Sequence, residues 1–126
     1  LTESIVEYIM LRILETYKGE EFRKQFYKTQ ERRYEDGKRN LKYEEPALVF
    51  VSPDEQFISY GKGAIAFYDL SEMIGEEKFN AILSDFLMTY RDSPPYPSSL
   101  DFVEFLKDHL DLTYHNSIDK KLMHVE

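Results

Sequence analysis

Apolar residues recur at helical spacing along most of this chain, and glycine or proline separates one such stretch from the next. In the first stretch they fall every three to four positions, at Ile5, Val6, Ile9, Met10, Ile13, Leu14 and Tyr17. This period gives one broad apolar face, as expected of a well-buried helix, and does not fit the two-residue alternation of a strand. The pattern predicts an all-α fold, a compact bundle of about five to six helices.

The same signals predict where the helices begin and end. The expected helices run from Thr2 to Tyr17, from Glu20 to about Asp36, from Tyr60 to Ile74, from Glu76 to Tyr90, and onward from a cap at Ser98, with one short helix from Ser117. The expected stops are Gly19, Gly37 and Gly75. The inner side of the second helix should carry Phe22, Phe26, Tyr27 and Tyr34. Residues 93–97, rich in proline, should form a rigid turn.

Residues 38–57 interrupt the periodicity and are predicted to form one long ordered connection. Pro46 and Pro53 bracket an apolar run at 47–51. This run fits either a short extended segment lying in a groove or a lone edge strand. Because the sequence offers no partner strand, an ordered connection is the favoured interpretation.

Composition narrows the class of function. The 126 residues carry a net charge of −8 and include ten Tyr, nine Phe and no Cys. Phosphate binding needs a basic face, which argues against nucleic acid as a partner, and thiolate metal sites and disulfides are excluded. No apolar run approaches the roughly 18 residues that cross a bilayer. We expect one soluble domain with an aromatic core.

The most informative short segment is Tyr60-Gly61-Lys62-Gly63, at the start of the third predicted helix. Glycines at such a position let another backbone or a substrate approach closely. A phenol fixed beside them can donate a hydrogen bond to a developing oxyanion. The structural alternative is that the glycines permit a tight helix crossing and that Tyr60 only packs.

A second candidate is Glu3, in the first turn of the first helix, where a carboxylate normally complements the helix dipole. A role as a metal ligand would need partners. His109, His115 and His124 all lie near the C-terminus, and none forms a His-Glu-x-x-His pair. We predict that all three are solvated surface residues and that the chain contains no complete metal site.

Together these segments resemble a known peptidase family. Leu1-Thr2-Glu3-Ser4-Ile5-Val6-Glu7-Tyr8 resembles the segment around the third zinc ligand of the aminopeptidase-N-like (gluzincin) zinc metallopeptidases, and Tyr60-Gly61-Lys62-Gly63-Ala64 resembles their Tyr-x-Lys-Gly-Ala motif. Ile74-Gly75-Glu76-Glu77-Lys78-Phe79 is similar to their Ile-Gly-Glu-Glu-x-Phe stretch. The similarity covers roughly residues 1–110. The finer likeness is to bacterial proteins in which such a domain follows a transporter-permease-like membrane region.

The resemblance implies that Glu3 is the third zinc ligand and that Tyr60 stabilises the tetrahedral intermediate of peptide-bond hydrolysis. The family's His-Glu-x-x-His helix, which supplies two further ligands and the general base, would lie upstream of Leu1. Residues 1–126 are then a single helical domain, a catalytic-domain fragment that is inactive alone and holds no zinc tightly. The longer parent protein would act on peptides and be an integral membrane protein of bacteria.

A different class of function stays open: a non-catalytic helical interaction module, in which the tyrosine and the glycines only pack. If the chain is instead a peptidase fragment, the surface from which the rest of the domain is missing should be unusually apolar for a monomer. We expect that surface to support dimerisation of the chain.

Overall fold

The computed structural model describes residues 1–92 and 94–125, and it confirms the all-helical class. Six α-helices follow one another along the chain: α1 (Thr2–Lys18), α2 (Glu20–Arg39), α3 (Gly63–Ile74), α4 (Glu76–Tyr90), α5 (Ser99–Asp108) and α6 (Leu112–Ile118). A 3₁₀ turn at Leu48–Phe50 and π-helical segments at Phe57–Lys62 and Asp119–Met123 complete the secondary structure. The described ranges contain no strand.

Two glycines end helices as predicted. Gly19, between α1 and α2, has φ 89°, and Gly75, between α3 and α4, has φ 104°. Residues with a side chain rarely adopt such positive φ values, so glycine at these two positions lets one helix end and the next begin after a single residue. The predicted cap at Ser98 is also present: its hydroxyl accepts from the Asp101 backbone N–H while the Asp101 carboxylate accepts from the Ser98 N–H.

Four predicted boundaries are wrong. The third helix was predicted to begin at Tyr60, but α3 begins at Gly63 and is preceded by a π-helical segment that begins at Phe57. The second helix continues through Gly37 to Arg39. Glycine is required at position 37 by packing and not by a turn, because a β-carbon there would lie 2.6 Å from the Phe57 Cβ. The connection therefore spans 40–56 rather than 38–57, and its apolar run folds as a 3₁₀ turn with Leu48 and Val49 buried. The last helix begins at Leu112, not Ser117. Ser93, the first residue of the predicted turn, lies outside the described residues.

Helix α3 forms the centre of the bundle, with Phe67 and Leu70 fully buried. Aromatic rings link α3 to its neighbours: Phe67 lies 6.0 Å from Phe79 and 5.6 Å from Phe102, between ring centroids. The Phe67–Phe102 pair is edge-to-face, and pairs of this kind add to the free energy gained from burial. The predicted aromatic interior is therefore present.

The predicted burial of the first two helices is only partly right. Helix α1 buries Ser4, Tyr8, Leu11 and Arg12, whereas much of its expected apolar face is exposed. Along α2 only Gln30 is fully buried, and Phe22, which should have faced inward, is exposed. None of the helices in the described ranges is long and apolar enough to span a bilayer.

Candidate functional site

Glu3 and Tyr60, far apart in the sequence, line one cleft. The cleft has a volume of about 220 Å³ and is formed by the start of α1, the connection and the π-helical segment. Its wall opposite α1 comes from Leu48, Val51, Ser52 and Pro53. Glu3 is exposed and Tyr60 is half-buried. The structure thus brings the two candidate residues to the same opening.

A tight crossing between α1 and α3 creates this arrangement. Ser4 is fully buried, and its hydroxyl donates to the Ser59 carbonyl over 2.7 Å. A β-carbon on Gly63 would lie 2.6 Å from the Ser4 Cβ, closer than real side chains come. Because Ser4 follows Glu3 and Ser59 precedes Tyr60, this contact fixes both candidates at the mouth of the cleft.

The second glycine of the segment serves another crossing. A β-carbon on Gly61 would lie 3.0 Å from the Gln30 carbonyl oxygen and 3.1 Å from the Tyr34 amide nitrogen, both on α2. Both glycines therefore permit close approach of helices. Tyr60 lies between these crossings, in a π-helical turn, a conformation found frequently at functional sites.

Arg33 of α2 lies over the Tyr60 ring. Its guanidinium carbon is 4.7 Å from the ring centroid, within the range of a cation–π contact. Such a contact at an exposed site contributes about 0.5–1 kcal/mol. It restrains the phenol from the side of α2, and no feature of the sequence signalled it.

Lys62 plays a structural part in the same segment. Its ammonium group lies 2.7 Å from a Glu45 carboxylate oxygen, and the Tyr34 hydroxyl donates to the same carboxylate. The Lys62 and Glu45 side chains are only 14% and 5% exposed. Burial, reinforced by the hydrogen bond to Glu45, raises the pKa of Tyr34 above its ordinary range. This cluster anchors the connection that forms one wall of the cleft.

Candidate metal ligands are scattered over the part of the chain that the structure describes. Within 1–92 and 94–125, no group of three or more His, Asp or Glu side chains is placed to hold a metal ion. His109 stacks on Phe105 with ring centroids 4.2 Å apart, and His115 contacts the Lys107 carbonyl at 2.9 Å and is half-buried rather than solvated. None of the histidines lines the cleft, and among the residues that line it Glu3 supplies the carboxylate.

Comparison with known proteins found no matching family model, no matching curated protein and no matching solved structure.

Three contacts around the site were missed from the sequence: Ser4 against Gly63, Arg33 over Tyr60, and Lys62 with Glu45. The first had a usable signal, because Ser4 is a small residue within an apolar helix start and the glycines need a close neighbour. The Arg33–Tyr60 contact joins α2 to the site, and the Lys62–Glu45 contact joins the connection to it. Each forms only because segments distant in sequence pack together, which helical periodicity does not predict.

Proposed function

We propose that this chain is the C-terminal helical portion of the catalytic domain of a zinc-dependent, aminopeptidase-like metallopeptidase. The observation that carries the proposal is the shared cleft: Glu3 of α1 and Tyr60 of the π-helical segment line the same opening of about 220 Å³. The proposed parent is a bacterial protein in which this domain follows a permease-like membrane region. Its substrate is a peptide.

In this proposal Tyr60 donates a hydrogen bond to the oxyanion that forms at the scissile carbonyl. The packing of Gly61 and Gly63 against neighbouring helices and the Arg33 contact hold the phenol in place before substrate binds. Preorganised donors act without reorganisation during the reaction, and losing one costs on the order of 10²–10³ in kcat. Tyr60 is half-buried and lines the cleft, so a ligand in the cleft can contact its side chain.

The proposed role of Glu3 is to supply one zinc ligand. Catalytic zinc generally has three protein ligands, so the ion requires donors from a segment that precedes Leu1. When bound, zinc activates water and polarises the carbonyl. A single carboxylate does not hold zinc tightly, and the 126-residue chain is proposed to be inactive alone.

The gene offers the first test. A His-Glu-x-x-His segment about twenty residues before Leu1 is required, and an upstream sequence without it would refute the proposal. In the protein that carries this segment, Glu3→Gln should abolish both zinc retention and peptide hydrolysis. Glu77→Gln is the matched control, because Glu77 is likewise the second residue of its helix and is exposed. Equal loss in both variants would count against a specific role for Glu3.

A non-catalytic helical interaction module is the second candidate. It is favoured by the use of Gly61 and Gly63 in helix crossings and by a separate apolar groove on α1 and α4. Under this alternative Tyr60 is a packing residue, and the upstream segment lacks the His-Glu-x-x-His pair.

A further inference from the structure

Helix α1 carries an exposed apolar strip that no described part of the chain covers. Its members are Val6, Ile9, Met10, Ile13 and Tyr17. They are spaced by three and four residues, as in helices that pack lengthwise against another helix. At 1.5 Å per residue the strip is about 17 Å long.

The two ends of the strip have complementary shapes. Near the start of α1 lies a groove of about 420 Å³, with walls that include Ile5 of α1, Phe86 and Leu87 of α4, and Tyr96. At the other end Tyr17 projects with 79% of its surface exposed. A projecting ring and an apolar recess on one helix can fit each other only across two molecules.

We propose that a second copy of this chain covers the strip, with the two α1 helices antiparallel and related by a two-fold axis near Met10. Tyr17 of each copy then lies against the groove of the other, so both recesses are filled at once. A parallel pairing would put Tyr17 against its own equivalent and leave both grooves open.

Charge favours the same orientation. The first turn of α1 contains Glu3 and the last turn contains Lys18. Antiparallel pairing brings the acidic end of one helix beside the basic end of the other, whereas parallel pairing brings like charges together. The strip between these ends has only apolar members, so no unpaired charge is buried on association.

The exposed area is sufficient for a dimer. The strip, together with Leu87 and Tyr96, which are 49% and 73% exposed, offers on the order of 700 Å² per copy, close to the roughly 800 Å² that each partner contributes to a standard interface. Contiguous apolar patches of this size on a monomer mark interaction sites. This inference goes beyond the proposed function, since it depends neither on zinc binding by Glu3 nor on a catalytic role of Tyr60.

Analytical ultracentrifugation of the 126-residue chain tests the dimer. We expect twice the protomer mass of 15.0 kDa, with association strengthened by salt because each copy carries a net charge of −8. Met10→Glu and Tyr17→Glu should weaken association about 100-fold or more, since each would bury a charge. Leu112→Glu, at an exposed position at the start of α6 and outside the groove, should not. Circular dichroism checks that every variant stays folded.

Disulfide cross-linking tests the orientation, because the chain has no cysteine of its own. Met10→Cys should cross-link to itself, and a mixture of Val6→Cys with Ile13→Cys should form the mixed disulfide, because an axis near Met10 places these two positions opposite each other. Tyr17→Cys alone should not cross-link. The proposal would be overturned if the wild-type chain stayed monomeric at up to about 0.5 mM, including the case in which that monomer binds an unrelated amphipathic helix. Efficient self-linking of Tyr17→Cys would also overturn it.

Discussion

Replacing Gly63 by alanine tests the helix crossing that brings the two candidate residues together. The new β-carbon would lie 2.6 Å from the Ser4 Cβ and overlap the Ser4 hydroxyl, which is bonded to the Ser59 carbonyl. Helix α1 must then move away from the start of α3, or Ser4 must give up its hydrogen bond to Ser59.

The expected loss of stability follows from three terms. Overpacking a tight contact costs typically 1–3 kcal/mol, and losing one hydrogen bond costs about 1 kcal/mol. Alanine in a helix recovers about 1 kcal/mol relative to glycine. The net loss is about 2 kcal/mol, which lowers Tm by roughly 8 °C in a domain of this size.

Urea unfolding followed by circular dichroism measures this loss. The control is Ser59→Ala, which removes a hydroxyl from the same segment but leaves the carbonyl that Ser4 contacts, and should change stability by less than about 0.5 kcal/mol. Adding Ser4→Gly to Gly63→Ala removes the overlapping atoms, so the double variant should be more stable than additivity predicts, by about 1–2 kcal/mol. A Gly63→Ala variant as stable as wild type, or more stable, would refute the described crossing.

Further perturbations probe the surroundings of the cleft. Lys62→Met should destabilise the chain by about 3 kcal/mol, because it leaves the buried Glu45 carboxylate with only the more distant Lys38, 3.9 Å away, as a cation. Glu45→Gln in the same background should restore part of this loss in urea unfolding. Burial and hydrogen bonds to carboxylates raise the pKa values of Tyr27 and Tyr34 in the folded state; the unfolded chain therefore loses these protons first, and stability should fall as pH rises from about 10. Tyr34→Phe should flatten that decline, and an unchanged alkaline slope would contradict the assigned bonding. Calorimetry should detect no stoichiometric sub-micromolar zinc binding by the 126 residues, because one carboxylate is too few ligands.

The sequence predicted the helical class and several helix ends for physical reasons that are local. Gly19 and Gly75 adopt backbone angles that only glycine tolerates freely, and Ser98 with Asp101 satisfies the first amide groups of a helix. Gly37 misled the prediction, because a glycine required for contact with Phe57 looks the same in sequence as one required for a turn.

The placement of the site was less accessible from sequence. Spacing alone predicted an apolar face along α1, but the side of the helix that packs into the bundle is a different one. The structure buries Tyr8 and Leu11 and leaves Ile9 and Ile13 at the surface. Likewise, the approach of Ser4 to Gly63 depends on how two helices cross, which the local pattern of either helix does not determine.

The proposed peptidase role is tested most directly by the kinetics of Tyr60→Phe in the zinc-loaded protein that contains this chain behind a His-Glu-x-x-His segment. Removing the hydroxyl while keeping the ring and its Arg33 contact should lower kcat by roughly 10²–10³ and leave KM nearly unchanged, because the hydrogen bond forms only in the transition state. A Tyr60→Phe variant with wild-type kcat would show that Tyr60 has no part in the reaction. The shared cleft would then no longer support the proposed function.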